Sequence, residues 1–375
     1  MVIAVNARSI KPACEYECGE FIYECFKRII GQHPEHTFIF LTKGNCDEQV
    51  IEAPNVTYLN LSFQSRYTFI SWIRIIFRLR VLLRKYLADV YISDDLFCPL
   101  IIDCPAYLLM TDASIINIPK SIIATHKVFS RMTNFSGLKK ARKIGTLSEH
   151  LKQEIIRVYN IESARIDVLY TGVGEDFLPI SFKEKESIKN KISEGNEYFL
   201  TAYTVDDIKN FVTLLKAFSA FKKRQKSNMY LVIINRNSGL AKEIAELLRT
   251  YKYRDQVKLI EQVSQLNMSQ IVAGAYAVVY PWAAEVIRRP MIEAMRCRVP
   301  ILTGNLISNR EVAGDAAIYF DSSDYHIISE KMQLIFKDEQ LRQRLISKGE
   351  EQSQLFSWDI TADLLWKGIV ASSTS

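Results

Sequence analysis

The chain has 375 residues, 48% of them hydrophobic and 24% charged, which predicts two domains with cores of their own and excludes a disordered or fibrous chain. Its net charge of +6 favours anionic partners such as nucleotide phosphates or an acidic lipid surface. The seven cysteines are scattered without a CxxC pair, so neither a zinc site nor a disulfide framework is expected, and no uncharged apolar run of about 18 residues predicts a membrane span.

Short apolar runs alternate with amphipathic segments from the start. Val2–Val5 reads as a buried strand and not as a signal peptide, so a cytoplasmic location is expected. Thr37–Leu41, Val56–Leu59, Val90–Ile92, Ala106–Met110, Lys143–Leu147 and Asp167–Leu169 predict further strands. Helical periodicity covers Gly19–Ile30, Phe69–Leu87 and Glu149–Tyr159. The segment 69–87 is basic and aromatic, with Arg74, Arg78, Arg84 and Lys85 on one polar side. It suits either an anionic membrane surface or a core-packing helix with a solvated edge. Asp94-Asp95, after Val90–Ile92, reads as a polar pair at a ligand edge or as a helix cap.

After Pro179 the charged stretch Lys183–Lys191 reads as a linker and first helix. Strands are then predicted at Tyr198–Ala202, Tyr230–Ile234, Gln256–Ile260, Ala277–Tyr280, Pro300–Thr303 and Ala317–Phe320. Two βα series imply an α/β chain of two doubly wound, Rossmann-like domains, 1–180 and 181–355. The closing segment 356–375 is expected to pack back on the first, and the ligand to lie in the cleft between the domains.

Two carboxylates, Glu285 and Glu293, stand eight positions apart after the Ala277–Tyr280 strand. The pattern places Glu285 in a loop at the carboxyl end of that strand and Glu293 in the first turn of the next helix. Ligands of open α/β sheets bind at that edge. Carboxylates there can accept hydrogen bonds from the hydroxyls of a sugar and a ribose. A helix N-terminus favours acidic side chains for its own reasons, so the spacing fits both readings. His126 and His150 are lone histidines, and Cys14, Cys18 and Cys25 read as buried or incidental thiols. No recognition helix and no aromatic-basic sheet signature is present, so nucleic acid is not an expected partner.

The string Tyr280 to Met295 resembles the paired-glutamate loop of retaining glycosyltransferases of family 4, which have the GT-B fold. Other landmarks agree in order. Gly145-Thr146-Leu147-Ser148-Glu149 is similar to the family's turn into the helix before the linker, and Tyr170-Thr171-Gly172-Val173 to its "pNGV" turn. Thr204 to Phe211 followed by Leu214-Leu215-Lys216-Ala217-Phe218 resembles its lysine-bearing segment. Glu311 to Asp321, Phe356-Ser357-Trp358, and Asn6-Ala7-Arg8 with Gly19 also match.

The resemblance implies transfer of a sugar from a nucleotide diphosphate donor to a hydroxyl of a glycan or lipid-linked acceptor, in polysaccharide or glycoconjugate synthesis. Lys209 would meet the diphosphate, Glu293 the ribose and Glu285 the donor sugar. Asp112 follows Thr111 where the family writes His-Asp. Thr204 takes the place of the family's basic residue five before the lysine, and Gly19, in the family's N-terminal opening, would also meet the donor. No metal or other cofactor is implied, because basic residues and helix N-termini neutralise the leaving diphosphate. The family's Glu-Gly-Phe-Gly appears here as Glu285-Val286-Ile287-Arg288, where Arg288 can supply charge in place of backbone approach. Tyr203, Asn235 and Glu17 also stand where the family has glycine. These departures fit, as an alternative, a catalytically impaired transferase-like scaffold or glycan-binding subunit.

Overall fold

The computed structural model describes residues 1–7, 17–42, 51–61, 69–94, 102–110, 137–203, 208–235, 241–260, 265–281 and 289–374. The chain divides into two compact units. The first takes in Met1–Thr171 and Ser357–Ser375, the second Gly172–Phe356, so the division comes after Thr171 and not at residue 180.

The first unit is built on β1 (Val2–Asn6), β2 (Thr37–Thr42), β3 (Val56–Asn60), β4 (Val90–Ser93), β5 (Ala106–Met110), β6 (Lys143–Thr146) and β7 (Ile166–Val168). Their spatial order is β3-β2-β1-β4-β5-β6-β7, and every pairing is parallel. Parallel strands covered on both faces need continuous apolar runs. β4 and β5 meet this requirement, being buried at every position, whereas the edge strand β3 leaves Thr57 exposed.

Helices α1 (Glu17–Gln32), α2 (Phe69–Lys85) and α3 (Glu149–Tyr159) follow β1, β3 and β6. α3 is closed at both ends: Ser148 Oγ accepts from the Leu151 amide at 3.0 Å, and Asn160 takes the left-handed C-cap conformation at φ 51°.

The second unit repeats the plan. Helix α4 (Phe182–Ser193) opens with a capping box of Ser181 and Glu184. Then come β8 (Tyr198–Tyr203), α5 (Ile208–Gln225), β9 (Tyr230–Asn235), α6 (Ala241–Arg249), β10 (Val257–Ile260), α7 (Gln265–Gly274), β11 (Ala277–Tyr280), α8 (Arg289–Arg296), β12 (Ile301–Gly304), α9 (Ile307–Ala313) and β13 (Ala317–Phe320). Helices α10 (Tyr325–Lys337) and α11 (Glu339–Ser353) close the unit. The six strands lie in the order β10-β9-β8-β11-β12-β13, again all parallel.

The terminal helix α12 (Trp358–Ser373) belongs to the first unit. Trp358, Thr361, Ala362, Leu365, Gly368, Ile369 and Ser372 form its buried stripe. Trp358 meets Phe21 edge-on at 5.9 Å, and Asp359 accepts from Arg28 Nε at 2.7 Å. Gly368 allows the close approach, since a Cβ there would stand 2.5 Å from Tyr107 Cε2 and 2.7 Å from Asp167 Oδ2. Beneath it Asp167 accepts from Tyr107 Oη at 3.1 Å and from Lys143 Nζ at 2.7 Å.

Candidate functional site

In each sheet the strand order reverses once, between β1 and β4 in the first unit and between β8 and β11 in the second. Helices after such neighbouring strands leave on opposite faces, and the carboxyl ends open a crevice there. Two of the predicted residues of the second unit stand on the helices that follow these strands, Lys209 after β8 and Glu293 after β11.

Lys209 is the second residue of α5 and is exposed. A cation in a first helical turn opposes the helix dipole. Its charge adds to the positive end of the helix dipole, and together they suit a polyanion.

Glu293 is 1% exposed. α8 begins at Arg289, so Glu293 stands on its second turn and not, as the spacing predicts, on its first. Pro290 explains the earlier start: its fixed φ and missing N–H suit the opening of a helix. Attraction of an acid to a first turn therefore does not account for Glu293. Arg289 Nε lies 3.8 Å from Glu293 Oε1, one turn back, and the Arg289 side chain is itself largely buried. Met291, Ile292, Ala294 and Met295 are buried around the carboxylate. Burial first, and the Glu293 charge second, push the Cys297 thiol up.

The end of β11 is fixed by a buried network that the sequence does not announce. Thr303 Oγ1 donates to the Tyr280 carbonyl at 3.0 Å. Asn309 Nδ2 donates to Thr303 Oγ1 at 2.9 Å and to the Gly304 carbonyl at 3.0 Å. Thr303 and Asn309 are fully buried. The network fastens the carboxyl ends of β11 and β12 to α9, two residues before the segment that carries Glu285.

At the switch point of the first unit, Asn6 Nδ2 donates to Ser93 Oγ at 2.9 Å, and both residues are fully buried. Asp94 is buried beside them at the end of β4. Gly19 falls in the first turn of α1, which begins at Glu17, two residues before the expected start at Gly19. Thr204, Glu285, Arg288, Asp112, Asp95 and His126 lie outside the described residues. A cavity of about 1000 Å3 on the flank of α5, lined by Leu215, Ser219, Tyr251, Tyr325 and Gln333 among others, contains none of the predicted site residues.

Residues 182–352 match the family model described as Glycosyl transferases group 1. The chain is 25% identical over 278 residues to O-antigen chain mannosyltransferase B of Escherichia coli, an alignment spanning 74% of this chain and 73% of that protein. It is 28% identical over 207 residues to O-antigen chain mannosyltransferase RfbU of Salmonella typhimurium, across 55% of this chain and 54% of the relative. Its fold is similar to that of a glycosyltransferase from Rickettsia africae, with a TM-score of 0.74, 14% identity, and coverage of 100% of this chain and 99% of that one.

Proposed function

We propose that this chain, whose fold is GT-B, is a glycosyl transferase of group 1 that moves a glycosyl unit from a nucleotide diphosphate donor, with retention of configuration, to a hydroxyl of a glycan or lipid-linked acceptor in surface polysaccharide synthesis. Mannose is the sugar to test first, since two relatives carry mannosyltransferase in their names. The observation that carries the reading is the placement of Lys209 and of a buried Glu293 on the two connections that leave the β8/β11 switch point.

In this reading Lys209 and the opening turn of α5 hold the diphosphate. Glu293 accepts from the ribose hydroxyls. Glu285 accepts from donor-sugar hydroxyls and sets the orientation of the anomeric carbon. The bond from the anomeric carbon to the phosphate oxygen breaks while the acceptor oxygen bonds to the same face. The acceptor proton passes to the leaving phosphate, so no side-chain nucleophile is needed. Turnover is metal-independent, because lysine and helix N-termini meet the charge that develops on the diphosphate.

The test is a panel of nucleotide sugars, read first by thermal stabilisation and then by release of nucleoside diphosphate in the presence of chelator. A ligand at about 100 times its dissociation constant stabilises by roughly 2.7 kcal/mol. Glu285→Ala is expected to abolish turnover with the far-UV spectrum unchanged. Wild-type turnover in that variant, or no stabilisation by any nucleoside diphosphate or nucleotide sugar, sinks the assignment and favours the scaffold reading.

We also propose that α2 faces an anionic lipid surface on which the acceptor is presented. Among the described residues no helix is long and apolar enough to cross a membrane. α2 buries Leu79 and Leu83 in the core yet leaves Phe77 58% and Val81 62% exposed, in line with exposed Arg74, Arg84 and Lys85. Apolar and basic groups on one outer stripe suit an interface of acyl chains and acidic headgroups.

A further inference from the structure

The turn between α1 and β2 has the sequence His33-Pro34-Glu35-His36. Glu35 Oε1 lies 3.6 Å from His33 Nδ1 and 3.3 Å from His36 Nε2. One ligand atom from each of the three residues lies within 4.8 Å of the other two. Around a tetrahedral ion with ligand bonds of about 2.0–2.1 Å, neighbouring donor atoms stand roughly 3.3–3.4 Å apart. Both histidine–carboxylate separations are of that size.

The rings are held in place by an element from the far end of the chain. Trp366 of α12 stacks on His33 with centroids 4.0 Å apart and planes 19° apart, and on His36 at 5.1 Å and 30°. His36 Nδ1 lies 3.1 Å from the Met1 amino nitrogen, while Nε2 is the nitrogen turned to Glu35. An ion on Nε2 moves the ring proton to Nδ1, so the Met1 amine, which donates to Nδ1 without the ion, then gives up that hydrogen bond. The imidazoles are partly buried and the Glu35 side chain is 60% exposed, which leaves a coordination position open to water.

We propose that His33, Glu35 and His36 form a surface site for a divalent transition ion, with Zn2+ the best match to two imidazole nitrogens and one carboxylate oxygen. The ion would complete its shell with water and fasten the α1–β2 turn where α12 covers it. The turn enters β2 at the amino end of the sheet. Lys209 and Glu293, which the proposed function assigns to the donor, follow carboxyl ends of strands in the other unit, so the site goes beyond the transferase reading and is structural.

The test uses the full chain stripped with chelator and titrated with Co2+, read by visible absorption and by tryptophan fluorescence. We expect one saturable equivalent that Zn2+ displaces and Mg2+ does not, because Mg2+ prefers all-oxygen octahedral shells. His33→Gln and His36→Gln should each weaken Co2+ binding by about tenfold or more. Glu35→Gln should weaken it too while leaving both rings on Trp366, so it serves if a histidine variant fails to fold. A Co2+ spectrum of the fully hydrated ion at saturating protein, or an affinity unchanged in Glu35→Gln, would show a hydrogen-bonded His–Glu–His cluster without a metal and overturn the proposal.

Discussion

Arg289 Nε stands 3.8 Å from Glu293 Oε1, one helical turn away, and both side chains are withdrawn from solvent. A nearly fully buried carboxylate is tolerated only with a countercharge or hydrogen bonds, and removing one partner leaves the other exposed to the full desolvation cost. Glu293 thus does two things at once: it neutralises Arg289 and, in the proposed function, presents an acceptor to the donor ribose.

Glu293→Gln separates the two roles. The variant keeps the shape, loses the charge and is expected to unfold about 1–3 kcal/mol more easily in urea. Its KM for the nucleotide sugar should rise. In Arg289→Leu/Glu293→Gln the charge that faced Glu293 is gone as well, so part of the lost stability should return while the donor KM stays high. If the double variant regains donor affinity together with stability, Glu293 is a packing residue and does not contact the ribose.

Asn309→Ala tests the clamp behind the site. It removes two donors and leaves the Thr303 hydroxyl and Gly304 carbonyl short of partners in a fully buried setting. The expected loss is about 1–3 kcal/mol. Asn309→Asp restores the shape but cannot donate when ionised, so it should be no better than alanine near neutral pH. Because the clamp holds the end of β11, both variants should also lower turnover in the folded protein. Unfolding midpoints equal to wild type would show that the network is dispensable.

Much of the fold was legible because the signals are local. Ala106–Met110 is five apolar residues in a row and forms a strand of those bounds; Glu149–Tyr159 follows a serine cap and ends before Asn160. The strand-to-helix joints were less exact where a residue has two meanings. The apolar pattern opens at Met291, yet Pro290 serves in the opening turn of α8, which moves the helix start and with it the turn on which Glu293 stands. The Thr303–Asn309 network was not legible, since neither residue is special until β12 and α9 bring them beside Tyr280. The stack of Trp366 on His33 was equally hidden, because it joins residues from opposite ends of the chain. Lys209 is singled out only through its place in a family pattern; periodicity alone marks it as one more exposed helical lysine.

Gly368 and Gly31 form a matched pair of probes. A side chain at Gly368 runs into Tyr107 and Asp167, whereas a Cβ at Gly31, on α1, meets nothing within 4 Å. Gly368→Val should therefore cost about 1–3 kcal/mol by overpacking and speed amide exchange in α12 and β5. Gly31→Ala should be neutral or stabilising by up to about 1 kcal/mol, through helix propensity alone. A Gly368→Val protein as stable as wild type would mean that α12 does not pack on β5 as closely as described.

The last prediction concerns the outer stripe of α2. Arg80 and Arg84 both bond Asp103, Arg80 through Nη2 at 3.1 Å and Arg84 through Nε at 2.5 Å, and the two arginines hold the Asp103 carboxyl below the usual carboxylate range. Part of the positive charge of this helix is therefore already answered, and reversing Arg84 would set a like charge beside Asp103. Arg74 and Lys85 are the better choice, being exposed on the same stripe as Phe77 and Val81. The wild-type chain should sediment with vesicles containing anionic lipid at low salt, each nearby basic residue contributing about 1 kcal/mol. Added salt should release it. Arg74→Glu/Lys85→Glu should weaken binding by charge, and Phe77→Ser/Val81→Ser by loss of insertion, with the folded spectrum kept in both. A wild-type chain that ignores such vesicles at low salt would leave α2 as a core-packing helix with a wet edge, and the acceptor would then reach the enzyme from solution.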